Sequence, residues 1–128
     1  MALAYYLLHH PDAFRKVAIL GTPSDLRQIT GVFADILGLS KRAMQCYADQ
    51  IERKFNHTLD YFSVADFAKS ISTNCLIIHD TGDPAAPYAD AQRVAQNWAG
   101  SRLMTTEGLG HSLQGEVVYQ ALLEFFGE

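Results

Sequence analysis

The sequence predicts an α/β domain of three layers, a mostly parallel sheet with helices flanking it. Three observations carry that reading. Short apolar runs recur at KVAILG (Lys16–Gly21) and CLIIH (Cys75–His79), the pattern of strands buried on both faces, and RLMTT (Arg102–Thr106) reads as a third strand. Segments with apolar residues at helical spacing lie before, between and after them. Strand and helix patterns alternate, which argues for parallel strands joined by right-handed crossovers.

The elements follow in order. Ala2–His10 is a helix whose alanines, leucines and two tyrosines cover nearly its whole surface, so burial on more than one side is expected, with Pro11 as its stop. Lys16–Gly21 is the first strand. Ser24 is placed to cap a helix through Leu37, with Ile29, Val32, Phe33, Ile36 and Leu37 at helical spacing and Gly38 as terminator. Ser40 is placed to cap a second helix bearing Ala43, Met44, Tyr47 and Ile51; Asp60–Ser72 reads as loop plus a short helix around Val64–Lys69. Asn74–His79 is the second strand, Tyr88–Ala99 an amphipathic helix with Ala91, Val94, Ala95 and Trp98 on one side, Arg102–Thr106 the third strand, and Leu113–Phe126 the closing helix. The stretch at about 24–72 is longer than a crossover needs, which points to a cap-like insertion over a site. There is no internal repeat or low-complexity tract.

Composition narrows the function classes. A chain of 128 residues, 48% hydrophobic and 19% charged, is a single domain (1–128) of ordinary globular make-up. Its net charge of −4 leaves no basic footprint for nucleic acid. No apolar run approaches the roughly 18 residues a membrane span requires, and MALAYYLLHHP has no basic lead or cleavage-type pair. Cys46 and Cys75 have no metal-site or disulfide spacing. Neither a cofactor nor a metal is expected, and the expected location is the cytoplasm.

The chemistry-bearing residues collect in Thr73–Ser112. In an open parallel sheet, catalytic groups lie on loops beyond the carboxyl ends of strands. Asp83, in HDTGDPAAP, and His111, in GLGHS, occupy two such loops. A carboxylate that accepts from one ring nitrogen fixes the histidine tautomer, leaving the other nitrogen to take a proton from a nucleophile. Singly, Asp83 is an ordinary turn residue and His111 an ordinary loop histidine. Together, in this order on adjacent strand ends, they make the acid and base of a triad. Ser24 and Thr22, at the end of the first strand, are the stand-in candidates for a nucleophile. Ser112 adjoins His111 without being aimed at it, Cys46 is expected to pack within a helix, and Cys75 belongs to a buried strand. His79 is expected to organise its loop, His9-His10 to end a helix, and His57 has no evident partner.

These motifs resemble the C-terminal part of a capped, serine-type α/β-hydrolase. The strand ending His79-Asp80, then Asp83, Pro87 and a helix, then Gly108-Leu109-Gly110-His111, is similar to that family's acid and histidine loops. ALAYYLLHHPDAFRKVAILGTPSDL is similar to the helix behind the nucleophile elbow, the next strand and the loop into the cap. The resemblance covers nearly the whole chain and is strongest in Thr73–Ser112 and the helix after it. It implies a truncated α/β-hydrolase fold with His111 as general base, Asp83 as its orienter and a small acyl substrate. Asp80 stands where that family has glycine, which makes it a second candidate acid, Asp being tolerant of positive φ. The larger departure is the absence of any G-x-S-x-G. The expectation is therefore a chain that starts just after the place of its nucleophile and is inactive alone. The alternative is a non-catalytic interaction or small-molecule-binding module derived from such a hydrolase. Loss of the preceding strand would bare the first strand and first helix, so a homodimer or a partner chain is expected there.

Overall fold

The computed structural model describes residues 1–127. Three strands, β1 (Lys16–Leu20), β2 (Asn74–Asp80) and β3 (Ser101–Thr106), form one sheet in the order β1-β2-β3. Both pairings are parallel, Lys16 lying opposite Asn74 and Cys75 opposite Ser101. The central strand is β2, buried from Cys75 through Asp80.

Alternation along β2 sorts the core into two halves. Cys75 and Ile77 join Val17 on one face, under α1 (Ala2–His9), α4 (Val64–Ala68) and α5 (Tyr88–Asn97). Leu76 and Ile78 point to the other face, where Leu113 and α6 (Glu116–Gly127) cover them with Val118 and Phe125. Helices, sheet and helix thus make the three layers expected. Trp98, at the end of α5, is fully buried, and its Nε1–H donates to the Thr73 carbonyl at 2.8 Å, tying α5 to the entry of β2.

The excursion between β1 and β2 leaves the sheet and returns beside its own exit. Asp25 bridges Ser63, Leu26 N–H donates to Phe62 O at 2.9 Å, and Val64 N–H donates to Ser24 O at 2.8 Å. Between these points run α2 (Leu26–Leu37), α3 (Lys41–Phe55) and a 3₁₀ turn, Leu59–Tyr61. Gly38, in the left-handed region, ends α2, with Leu39 N–H reaching back to Ala34 O. Ser40 Oγ accepts from Ala43 N–H at 3.2 Å and caps α3. Neither helix sinks into the core; of the two, only Ala34 is buried. By contrast α4 packs into the first core half through Val64, Ala65, Phe67 and Ala68.

Four local expectations are corrected. Ser24 does not cap α2: it is fully buried, its N–H donates to Asp90 Oδ2 at 3.0 Å, and Asp25 holds the cap position. The closing helix starts at Glu116 rather than Leu113, because Leu113 has φ +50° and is committed to the second core half. In α1 only Ala4 and Leu7 are buried, while Tyr5 and Tyr6 are exposed, because a single layer covers it. Cys46 is exposed on α3 rather than packed. No described helix is long and apolar enough to cross a membrane.

Candidate active site

Parallel strands bring their carboxyl ends to one edge of the sheet, and the site is built there. Gly21 (φ +55°) turns the chain out of β1, the loop of residues 81–87 follows β2, and Gly108 (φ +80°) and Gly110 (φ +59°) shape the loop after β3. These positive φ values are cheap only for glycine, and they bring His111 back over the loop from β2.

Asp80 latches the two loops together. Its buried carboxylate accepts from Gly82 N–H, from Thr106 Oγ1 and from Leu109 N–H, each at 2.9 Å. Burial raises its pKa, but the hydrogen bonds from Leu109, Gly82, Thr106 and Gly110 outweigh that and hold it below the ordinary carboxylate value. Asp80 is the last residue of β2 and takes no positive φ, so its aspartate identity is explained by the latch and not by backbone shape. Its hydrogen bonds leave nothing for His111.

Asp83 is the residue that meets His111. Asp83 Oδ2 lies 2.8 Å from His111 Nδ1, while Oδ1 accepts from Ala85 N–H at 2.8 Å and Ala86 N–H at 3.0 Å. The carboxylate is fully buried. Burial raises its pKa, and the hydrogen bonds from His111, Ala86 and Ala85 together bring it below the ordinary value. A carboxylate only accepts, so His111 carries its proton on Nδ1 and turns the lone pair of Nε2 outward. The His111 side chain is 51% exposed.

The other singled-out residues fall apart from this pair. Ser112 Oγ donates to Leu109 O at 3.3 Å, and Thr22 Oγ1 donates to Leu20 O at 3.4 Å. Ser24 Oγ is buried without a partner. Burial pushes the Cys75 thiol up to about 12. His57 stacks flat on Tyr61 at 3.6 Å, and His9 and His10 lie against Tyr5 and Tyr6. Among the described residues no group of three or more His, Cys, Asp or Glu is arranged to hold a metal ion.

Beside His111 opens a cleft of about 770 Å³. Its lining includes Ile29, Val32, Phe33 and Ile36 of α2 together with Thr22, Pro23, Pro84 and Pro87. Two features here have only faint sequence signals. Gly21 leaves little room beside the His111 ring, marked in sequence by nothing more than a glycine after a strand. His79 approaches Asp83, marked only by the i,i+4 spacing across a strand end.

A parallel sheet between helical layers, with an aspartate and a histidine on consecutive strand-end loops, is the arrangement of the C-terminal part of an α/β-hydrolase fold. Residues 39–126 match the family model described as TAP-like protein, one of the abhydrolase families, and the chain belongs to that family. No curated protein matches it. Solved structures give the same fold: Rv0554 from Mycobacterium tuberculosis is similar with a TM-score of 0.68 at 14% identity, covering 98% of this chain and 61% of that one. MGS-M2, an α/β hydrolase enzyme from a Medee basin deep-sea metagenome library, gives 0.68 at 16%, with 98% and 61% covered. A hydrolase from Pseudomonas aeruginosa PA01 gives 0.63 at 18%, with 98% and 60% covered. The chain thus spans about 60% of the length of the solved structures it resembles.

Proposed function

We propose that Asp83 and His111 are the acid and base of an acyl-ester hydrolase whose nucleophile this chain does not itself supply. The observation that carries the reading is the 2.8 Å bond from His111 Nδ1 to a buried Asp83 carboxylate, with His111 lining a mostly apolar cleft. In the reaction His111 Nε2 takes the proton of an incoming hydroxyl as it attacks the acyl carbon, then returns it to the leaving group. Asp83 stays ionised, keeps the tautomer and stabilises the transient imidazolium. The cleft wall of Ile29, Val32, Phe33 and Ile36 suits the apolar part of a small acyl group, and residues of about 24–72 act as its cap.

Alone, the chain is inactive on this reading. A covalent mechanism finds no G-x-S-x-G serine here on which to form an acyl-enzyme. Losing even one oxyanion donor typically costs on the order of 10²–10³ in rate. The test is turnover of an activated short-chain ester by the wild-type chain, by His111→Ala, and by each with a G-x-S-x-G-bearing α/β-hydrolase segment added. Saturable turnover only with the segment, and only with His111 intact, is the expected result. Saturable turnover by the chain alone that His111→Ala abolishes would mean that a residue such as Thr22 acts as nucleophile. A second reading, ligand binding without chemistry, is supported by the fact that no described hydroxyl or thiol is hydrogen-bonded to His111. Binding of an apolar ester that is unchanged in His111→Ala, with no turnover in any mixture, would favour it.

A further inference from the structure

The structure assigns His79 as the positioning residue of the Asp83–His111 pair, an assignment that rests on the acid–base reading above. His79 lies in β2 and is fully buried. Its Nε2 stands 2.9 Å from the Ala86 carbonyl oxygen and 3.4 Å from Asp83 Oδ2, the same oxygen that receives His111. A carbonyl and a carboxylate both accept, so Nε2 carries the proton, hydrogen-bonded to the Ala86 carbonyl with Asp83 Oδ2 close by. Its Nδ1 is buried and has no hydrogen-bond partner. The ring therefore spends its one donor on this loop, while its other nitrogen is buried without a partner.

The geometry makes a closed circuit. Ala86 gives its N–H to Asp83 Oδ1 within the loop and its carbonyl to His79, so the loop that carries the acid is closed on itself and tied through Ala86 to the central strand. Ala86 itself is fully buried. The second approach of His79, directly to Oδ2, sets the carboxylate from below while His111 meets it from the solvent side. On the far side the His79 ring sits edge-on to Tyr88, 6.1 Å between centroids, and Tyr88 Oη shares a 2.6 Å hydrogen bond with Thr105 Oγ1. The ring is therefore fixed by its packing as well as by its proton. A glutamine amide reaches about as far as Nε2, an asparagine amide only as far as Nδ1, and a leucine offers no donor.

The experiment reads His111 itself by nuclear magnetic resonance in the intact chain with labelled imidazoles, so it needs no turnover. The hydrogen-bonded Nδ1–H proton of His111 is identified by its loss in His111→Ala. In His79→Leu and His79→Asn that downfield proton should move upfield or be lost to exchange with water. In His79→Gln it should be retained. A resonance unchanged in His79→Leu or His79→Asn overturns the assignment, as does its equal loss in His79→Gln with the rest of the spectrum folded. Should His79→Leu fail to fold, the contrast between the glutamine and asparagine variants decides alone. A response of His111 to His79 without ester turnover in any mixture leaves the positioning role standing and sinks the hydrolase reading instead.

Discussion

Gly21 leaves little room for a side chain beside His111: a Cβ on Gly21 would stand 3.3 Å from His111 Nδ1 and 3.3 Å from the His111 carbonyl oxygen. The end of one edge strand thus sets the position of a histidine carried by a loop after the other edge strand. Gly21 also has φ +55°. Gly21→Ala should therefore destabilise the fold by about 1–2 kcal/mol, the cost of a left-handed non-glycine residue. It should also displace the His111 ring proton signal. Chemical denaturation and the imidazole spectrum check the two effects separately, and an alanine variant with both unchanged would refute this close approach.

Acid should weaken the fold through Asp80 and Asp83. Both have folded-state values below that of an unfolded aspartate, because their hydrogen-bond donors outweigh the burial that pushes the other way. A depressed value means that the folded chain binds fewer protons than the unfolded one. The stabilisation is complete above the unfolded aspartate value, about 3.9, and is lost as pH falls through the lower folded values. Denaturant midpoints from neutral pH downward should hold until about pH 4 and then fall. Asp80→Asn should be less stable at neutral pH and show a shallower acid slope. An acid limb as steep as that of the wild type would show that the latch contributes nothing.

The two thiols should differ in reactivity. Cys46 is exposed on α3, whereas Cys75 is buried in β2 with its thiol pushed up to about 12. Only the thiolate reacts, so one equivalent of an aromatic disulfide reagent should be consumed promptly and the second only on unfolding. Prompt loss of both thiols would mean that β2 opens far more readily than its burial implies.

Self-association should run through β1 and α1. β1 has a sheet neighbour on one side only, and Leu20, Tyr6 and Phe14 are exposed around it at 38%, 47% and 48%. A bare strand edge beside exposed aromatic groups favours pairing with a second copy or with another chain. Light scattering should report a species larger than the monomer at high concentration, and Leu20→Lys should shift it toward the monomer. A wild-type chain that stays monomeric and binds no hydrophobic dye would remove the basis for this surface.

The layered α/β architecture was legible in the sequence because it rests on local patterns. The run CLIIH needs burial on both faces wherever it sits, Ser40 caps whatever helix follows it, and Gly38 permits the left-handed turn that ends one. Asp83 and His111 were legible as a pair because parallel strands must deliver consecutive loops to one edge. Tertiary structure alone decided the rest. Ser24 has the chemistry of a cap, yet Asp90, distant in sequence, claims its amide and buries it. Leu113 fits a helical pattern, yet the second core half takes its side chain at the expense of a left-handed backbone. Which of two nearby aspartates serves the histidine depended on where Thr106 and Leu109 present their donors, since these claim Asp80 and leave Asp83 free. Local spacing fixes what a segment is able to form, but competition for a shared donor or a shared cavity is settled only between segments far apart in the chain.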